Sequence, residues 1–569
     1  MENTNKKNLI ILFRQFTKLL KSEKVEIGNI YLIAIFSTLL NLLLPLGIQS
    51  VFNLVLGAKL SVSLAIVISL IILGVFLSGY LQLLQIKFNE SIQQRLFAKS
   101  SLFFAKSLSK VETSLAKGIY LPEITNRFFD TVVIQKSLSK ILVDLTGAIL
   151  LLIFALILLS IYHTLFIVPG ILLLILLVLF LLYYAPNSAK LAKYESNKKY
   201  EMVFWLEELA RTQKVFKMSN SENFALKKTD SFLMSWINDR QAHFKTLISQ
   251  YWVLIFFKVL FVAAMLILGT TLVFNQSINF GQFVAIEIIF VLIISTIEKI
   301  ISTVDVAYDV LISADKLNIF SKLPFHDTSS QSMLDMEVAV GVRASQLRIT
   351  NELNAKIAID SLNFELLGSE KLCIIGSSES GKNLLMQVLS GDYNDFLGSL
   401  DYQNIPVNNL KSSQFFNNVA YIGYETQIFY GSVLENLTLN MENESLDAVY
   451  QVLKKVQLTD WVKSLPNGLE TIISPAQKSI PASLCKKIEF ARILLQQPVL
   501  FLMDDFTMEM SKQEQDIWID IITSADFKWT TIIATNNKSI VQKTDKMLVL
   551  ENGHQTYFGV VNINHSIFN

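Results

Sequence analysis

Residues 376–383 read Gly376-Ser377-Ser378-Glu379-Ser380-Gly381-Lys382-Asn383, a small polar turn with a glycine at its start, a second near its end and a lysine directly after that. This spacing lets backbone N–H groups curl around phosphate oxygens, while Lys382 offers a positive charge to the outer phosphates. The hydroxyl residue that should follow the lysine and ligand Mg²⁺ is replaced by Asn383, whose amide oxygen is a poorer donor. The chemistry expected is binding of a nucleoside triphosphate, weakened on the metal side. Residues 371–375 ahead of the turn form a short apolar run that predicts a strand, and 383–389 reads as a helix start. That strand–loop–helix order is the context the motif needs.

A chain of 569 residues is long enough for two or three domains, and a net charge of +1 gives no field that would attract nucleic acid. Hydrophobic residues make up 52% of the chain, well above the usual share of a globular protein, and the excess lies almost entirely before residue 305. Six apolar stretches are each long enough to cross ~30 Å of hydrocarbon. They fall near 29–54, 61–86, 141–162, 164–184, 249–274 and 279–301. Short connectors alternate with two long, polar, helix-patterned ones at 87–140 and 185–248. Lys and Arg crowd the N-terminal tail and the long connectors, whereas the short connectors hold only Lys59. The positive-inside rule then puts the tail, long connectors and C-terminal half in the cytoplasm of a multi-pass inner (plasma) membrane protein surrounded by lipid. No cleavable signal peptide is evident. Cys373 and Cys485 lie far apart without metal-ligand spacing and read as free thiols.

Four segments are expected: a cytosolic tail at 1–28, an all-α membrane domain at 29–305, a linker at 306–340, and a nucleotide-binding domain at 341–569. In the last, short apolar strands such as 372–375, 419–422, 499–503, 531–534 and 546–550 alternate with helical patterns, the signature of a mostly parallel α/β sheet. Two membrane charges, Lys258 and Glu287, are costly in lipid and should face protein or a water-filled cavity. Glu298 and Lys299 are expected to snorkel to the interface. The aromatics Phe204, Trp205, Phe216, Phe224, Phe232 and Trp236 are expected to pack the helical connectors.

Six spans, two long helical connectors and a C-terminal phosphate-loop domain resemble an exporter-type ATP-binding-cassette (ABC) half-transporter. The stretch Glu123-Ile-Thr-Asn-Arg-Phe-Phe-Asp130 and the run Phe280-Gly-Gln-Phe-Val-Ala285 look like the secretion and bacteriocin-export branch, without room for that branch's N-terminal peptidase domain. The resemblance implies a homodimer, or a heterodimer with another half-transporter, that sandwiches two ATP and Mg²⁺. Closure would be transmitted through connector tips near 119–128 and 206–218. It also implies export of a peptide, protein or lipid-like cargo, passed to a periplasmic adaptor where there are two membranes.

Compared with that family, Asp504 stands at the Walker B metal position and Lys382 at the phosphate lysine. Asp505 occupies the catalytic glutamate position, one methylene short. A misplacement of ~1 Å can cost on the order of a hundredfold in rate. Ile480-Pro-Ala-Ser-Leu484 replaces the signature Leu-Ser-Gly-Gly-Gln. There Pro481 removes an N–H, and Ala482 and Ser483 add Cβ atoms where phosphate should approach the backbone. Tyr424 stands at the Q-loop glutamine, with Gln427 three residues late. Asn536 stands at the switch histidine, Ser511 at the D-loop aspartate, and Leu353 is left as a candidate against the adenine. Together these departures predict impaired hydrolysis. The rival expectation is a pseudo-ATPase that serves as scaffold or regulator in a secretion complex.

Overall fold

The structure is a computed structural model. It describes residues 13–563 except 15, 19, 58–61, 112–120, 319–337, 351–356, 411, 424–426, 440–444, 475–479, 505–509 and 525–527. The chain divides into two compact units, Met1–Ser109 with Ile119–Lys322, and Lys110–Gly118 with Leu323–Asn569.

The first unit is helical: α1 (Lys24–Asn41), α2 (Leu43–Leu56), α3 (Val62–Leu108), α4 (Phe129–Ser139), α5 (Thr146–Tyr162), α6 (Ile167–Arg211), α7 (Glu222–Phe274) and α8 (Phe280–Leu317). Among the described residues, six helical stretches are long and apolar enough to cross a membrane. The first is broken at Leu42, because Pro45 has no N–H to donate to the Asn41 carbonyl. At ~1.5 Å per residue, the 47-residue α3 is about 70 Å long, more than twice the ~30 Å of a hydrocarbon core. Much of the two polar connectors is thus a continuation of α3, α6 and α7. Along the polar part of α3, Asn89, Ile92, Leu96, Ser100 and Phe104 recur every three or four residues and are buried, the spacing of one helix face. Short helices at Leu121–Asn126 and Gln213–Met218 lie within the two expected connector tips. Trp205 is buried, donates from Nε1 to Thr229 Oγ1 at 2.9 Å, and stacks near Phe232. The aromatic stripe here packs helix on helix.

One sequence expectation needs correction. Helix α8 continues to Leu317, through the first third of the expected linker. Tyr308, Val310, Ile312, Ala314 and Leu317 are buried there, so polarity averaged over a window hid an amphipathic helix. The charges at 298 and 299 also have partners: Glu298 Oε1 sits 2.7 Å from Lys258 Nζ, and Lys299 Nζ sits 2.7 Å from Asp144 Oδ1. The Lys258–Glu298 pair lines an apolar groove with Phe180, Phe257, Phe261 and Ile301. In that groove, Lys258→Leu leaves an unpaired carboxylate and should cost about 2 kcal/mol. Lys258→Leu with Glu298→Leu should recover most of that loss, read as the melting temperature of the protein in lipid nanodiscs. Glu287 Oε1 is buried without a hydrogen-bond partner among the described residues.

The second unit is built on strands β1 (Val342–Thr350), β2 (Ile357–Leu366), β3 (Lys371–Gly376), β4 (Phe396–Tyr402), β5 (Ile405–Pro406), β6 (Val419–Ile422), β7 (Gly431–Ser432), β8 (Ile472–Ile473), β9 (Leu500–Asp504), β10 (Thr530–Ala534), β11 (Lys546–Glu551) and β12 (His554–Val560). Ten form one sheet in the order β5-β4-β1-β2-β12-β11-β3-β10-β9-β6, and β7 pairs with β8. Strands β6, β9, β10, β3 and β11 run parallel; β1, β2, β4 and β5 pair antiparallel. Helices α9 (Lys382–Leu389), α10 (Ala482–Gln496) and α11 (Lys512–Thr523) support it. Fully buried Trp518 on α11 stacks on Phe490 of α10 with ring centres 4.1 Å apart. In parallel sheets of this kind, ligands bind beyond the carboxyl ends of the strands. Ala534 pairs with both Ile374 and Asp504, so Gly376, Asn536 and Asp504 emerge at one edge.

Candidate functional site

At that edge the turn from β3 into α9 is built around its two glycines. A Cβ on Gly376 would lie 2.4 Å from Ser380 Oγ and 2.5 Å from the Leu550 carbonyl. Gly381 has φ +98°, and a Cβ there would lie 2.8 Å from Ile359. Both positions therefore need glycine. Glu379 takes a positive φ of 67°, uncommon without glycine and consistent with a tightly wound turn. Ser377 accepts from the Ser380 N–H at 3.3 Å, and Ser378 lies within the same turn. Ser380 is buried and its Oγ has no partner among the described residues. Lys382 Nζ folds back, donating to the carbonyls of Gly376 at 2.5 Å and Ser377 at 2.9 Å. A cradle closed to Cβ atoms, an orphaned hydroxyl and a lysine held by loop carbonyls fit a phosphate chain.

Asn383 opens onto a cleft of about 840 Å³ shared with Gln387, Tyr421, Gln427, Glu489 and Asp504. Asp504 is buried at the end of β9 and lines the cleft together with Tyr421. Burial and the neighbouring carboxylate push the Tyr421 phenol well up, so it stays a donor. Asn383 and Asp504 both line that cleft and carry side-chain oxygens, the atom type Mg²⁺ prefers. Asp505, Tyr424 and Leu353 lie outside the described residues.

The segment at 480–484 opens a helix. Pro481 caps α10, its carbonyl accepting from Leu484 and Cys485 N–H at 3.0 and 3.2 Å, so Ala482 and Ser483 form the first helical turn. Farther along, α10 grips the backbone on either side of residues 424–426. Lys486 donates to the Gly423 carbonyl, Glu489 accepts from the Gln427 N–H, and Arg492 donates to the Gln427 carbonyl at 3.1 Å. Ser511 is a helix cap: its Oγ accepts from the Glu514 N–H at 3.3 Å, and Glu514 pairs with Lys487 at 2.7 Å. Asn536 reaches back to Gly376 with both ends of its amide.

Sequence reasoning missed Tyr421, Lys486 and Glu489. The signal for Glu489 was a carboxylate within the apolar run Ile488–Ala491, a stretch buried all round its helix. Burial is the main cause raising its pKa, opposed by the Gln427 N–H and by Lys486 and Arg492. An acid whose folded pKa is raised costs nothing below its unfolded pKa, and its penalty grows as pH rises through the folded value. Glu489→Gln should therefore raise the melting temperature by about 2 °C at pH 7.5 and change it little at pH 4.5. Paired thermal scans check this.

A model described as "ABC transporter transmembrane region" matches residues 27–297, and one described as "ABC transporter" matches 359–508. The two regions stand in one chain, in the exporter order. By architecture the chain is an exporter-type ABC half-transporter. The fold agrees with a solved bacterial Atm1-family ABC exporter with ATP bound, at a TM-score of 0.83 over 95% of both chains and 15% identity. Among curated proteins, an uncharacterized ABC transporter ATP-binding protein, YfiB of Bacillus subtilis, is 27% identical over 196 residues, 34% of either chain. The ABC-type transporter kk1G of Curvularia clavata is 26% identical over 230 residues, 40% of this chain and 17% of that protein. The matched stretches thus span about a third or less of these curated relatives.

Proposed function

We propose that this ABC half-transporter binds MgATP and turns it over slowly, coupling binding to the export of a peptide, protein or lipid-like cargo from the cytoplasm. Gly376–Asn383 would hold the phosphates, with Asn383 and Asp504 toward the metal. Bound MgATP supplies the free energy that draws two such domains together. Asp505 is the residue placed by sequence to polarise water, with a short reach. The observation that carries the reading is a contrast within one domain. The phosphate loop keeps its glycine cradle and lysine, while the start of α10 has Pro481, Ala482 and Ser483 where the family's signature has Ser-Gly-Gly. The basic tail and connectors support a cytoplasmic nucleotide domain in the inner (plasma) membrane. An adaptor across a second membrane, and assignment to the secretion branch, rest on the resemblance alone.

A dimer is required, because each nucleotide in this family meets the signature of the opposite subunit. Since this chain departs at both its catalytic and its signature positions, a heterodimer would have both composite sites altered. That favours binding over turnover, and it keeps a second reading open: a membrane pseudo-ATPase acting as scaffold or regulator. Phosphate release by the chain in nanodiscs, alone and with a second half-transporter, separates the two. Slow release that is accelerated by the partner and lost in Lys382→Ala supports the exporter. Release that stays at background in both preparations supports the scaffold.

A further inference from the structure

We propose that Asn536 is a brace for the phosphate loop and sets the affinity for the nucleotide as a whole, without sensing its terminal phosphate. This rests on the MgATP reading above. Asn536 follows β10 at the point where the ladder with β3 ends, one residue after the Thr535 N–H donates to the Ile374 carbonyl at 3.0 Å. Its side chain then adds one more rung. Nδ2 donates to the Gly376 carbonyl at 2.9 Å, and Oδ1 accepts from the Gly376 N–H at 3.1 Å. A carboxamide is the short side chain that can both donate and accept in this way. Asp could only accept, and a neutral imidazole has its donor and acceptor on separate ring nitrogens.

The Gly376 carbonyl is shared, since Lys382 Nζ also donates to it. When Lys382 turns outward to meet phosphate, the carbonyls of Gly376 and Ser377 each lose that cation. Asn536 keeps the first of them satisfied, so the loop does not need to rebuild its base at that moment. The adjoining Asn537 anchors the segment. Its N–H donates to Thr535 Oγ1 at 3.2 Å, its Oδ1 accepts from the Ser539 N–H at 3.0 Å, and its Nδ2 donates to Gln515 Oε1 on α11 at 3.3 Å. The brace is therefore held from the sheet and from a helix, and its amide is already committed to backbone.

The consequence concerns selectivity between nucleotides. A terminal-phosphate sensor would affect ATP and leave ADP alone, whereas a brace at the base of the loop acts on both. Binding of MgATP and MgADP to the full chain in nanodiscs, by isothermal titration, tests this with Asn536→Ala and Asn536→His. The expected result is a weakening of about 5-fold for both nucleotides with Asn536→Ala, the scale of one or two part-buried hydrogen bonds. Asn536→His should not restore the affinity. Hydrogen exchange over 371–383 should also quicken in Asn536→Ala without nucleotide, a readout that needs no ligand. Weakening of ATP alone, rescue by His, or unchanged affinities and exchange would overturn the proposal. If the wild type binds neither nucleotide, the MgATP reading falls as well. If the wild type binds and the variant binds equally, the brace alone falls.

Discussion

Lys382→Ala should weaken MgATP binding by about 100-fold, the largest loss of affinity expected from a single change in this chain. A charge-assisted hydrogen bond to phosphate contributes about 1.5–3 kcal/mol, and each 1.4 kcal/mol is tenfold. Lys382 stands directly after Gly381, whose φ of +98° turns the chain into α9. The Gly376 and Ser377 carbonyls now hold the ammonium, and phosphate oxygens would replace them. Lys382→Arg separates charge from fit, because the guanidinium is a planar fork where the loop accommodates a compact ammonium. It should recover only part of the affinity. Equilibrium binding of a fluorescent ATP analogue to the three proteins checks the order wild type, Arg, Ala. An Ala variant within twofold of wild type would remove the phosphate loop from the account.

The second large effect runs the other way. Restoring Asn383→Ser, Asp505→Glu, Pro481→Ser, Ala482→Gly and Ser483→Gly together should raise ATP turnover by about 100-fold or more. Preorganised donors and a correctly placed base each contribute on the order of 10²–10³ in rate. The restored signature acts on the nucleotide of the opposite subunit and the restored carboxylate on its own, so neither alone should give the full gain. The signature change has a local cost, since two glycines in the first turn of α10 weaken that helix by about 1 kcal/mol each relative to Ala. The grip of Lys486, Glu489 and Arg492 lies farther along α10 and should hold it in place. Steady-state phosphate release by the quintuple variant, with Lys382→Ala added as the zero, measures the gain. A quintuple variant as slow as wild type would mean that Tyr424, Asn536 or another position limits turnover.

What could be read from sequence was whatever one stretch of chain decides by itself. The β3–loop–α9 order was legible because two glycines and a lysine at fixed offsets need that local geometry. The parallel strands were legible because each is a short apolar run between polar ones. The spans were legible because hydrocarbon imposes a length. What escaped depends on partners far apart in sequence. The continuation of α8 through residues 306–317 is fixed by a face buried against other helices, and a hydropathy window averages that face away. The Lys258–Glu298 pair joins positions 40 residues apart, and nothing at either one names the other. Glu489 was visible only as a misplaced charge; its role at Gln427 depends on a backbone N–H some sixty residues earlier. Asn536 was legible as a missing histidine. That its amide instead holds Gly376 follows from β10 lying beside β3, which is a fact of the sheet.

The account stands on a separation between gripping a triphosphate and splitting it. The most direct measurement takes one preparation of the full chain in nanodiscs and determines both MgATP binding by titration and turnover by continuous phosphate release. The account predicts saturable binding that disappears in Lys382→Ala, with turnover below about 0.1 s⁻¹, slower than the usual range for enzymes. Turnover at about 10 s⁻¹ by the unmodified chain alone would contradict it.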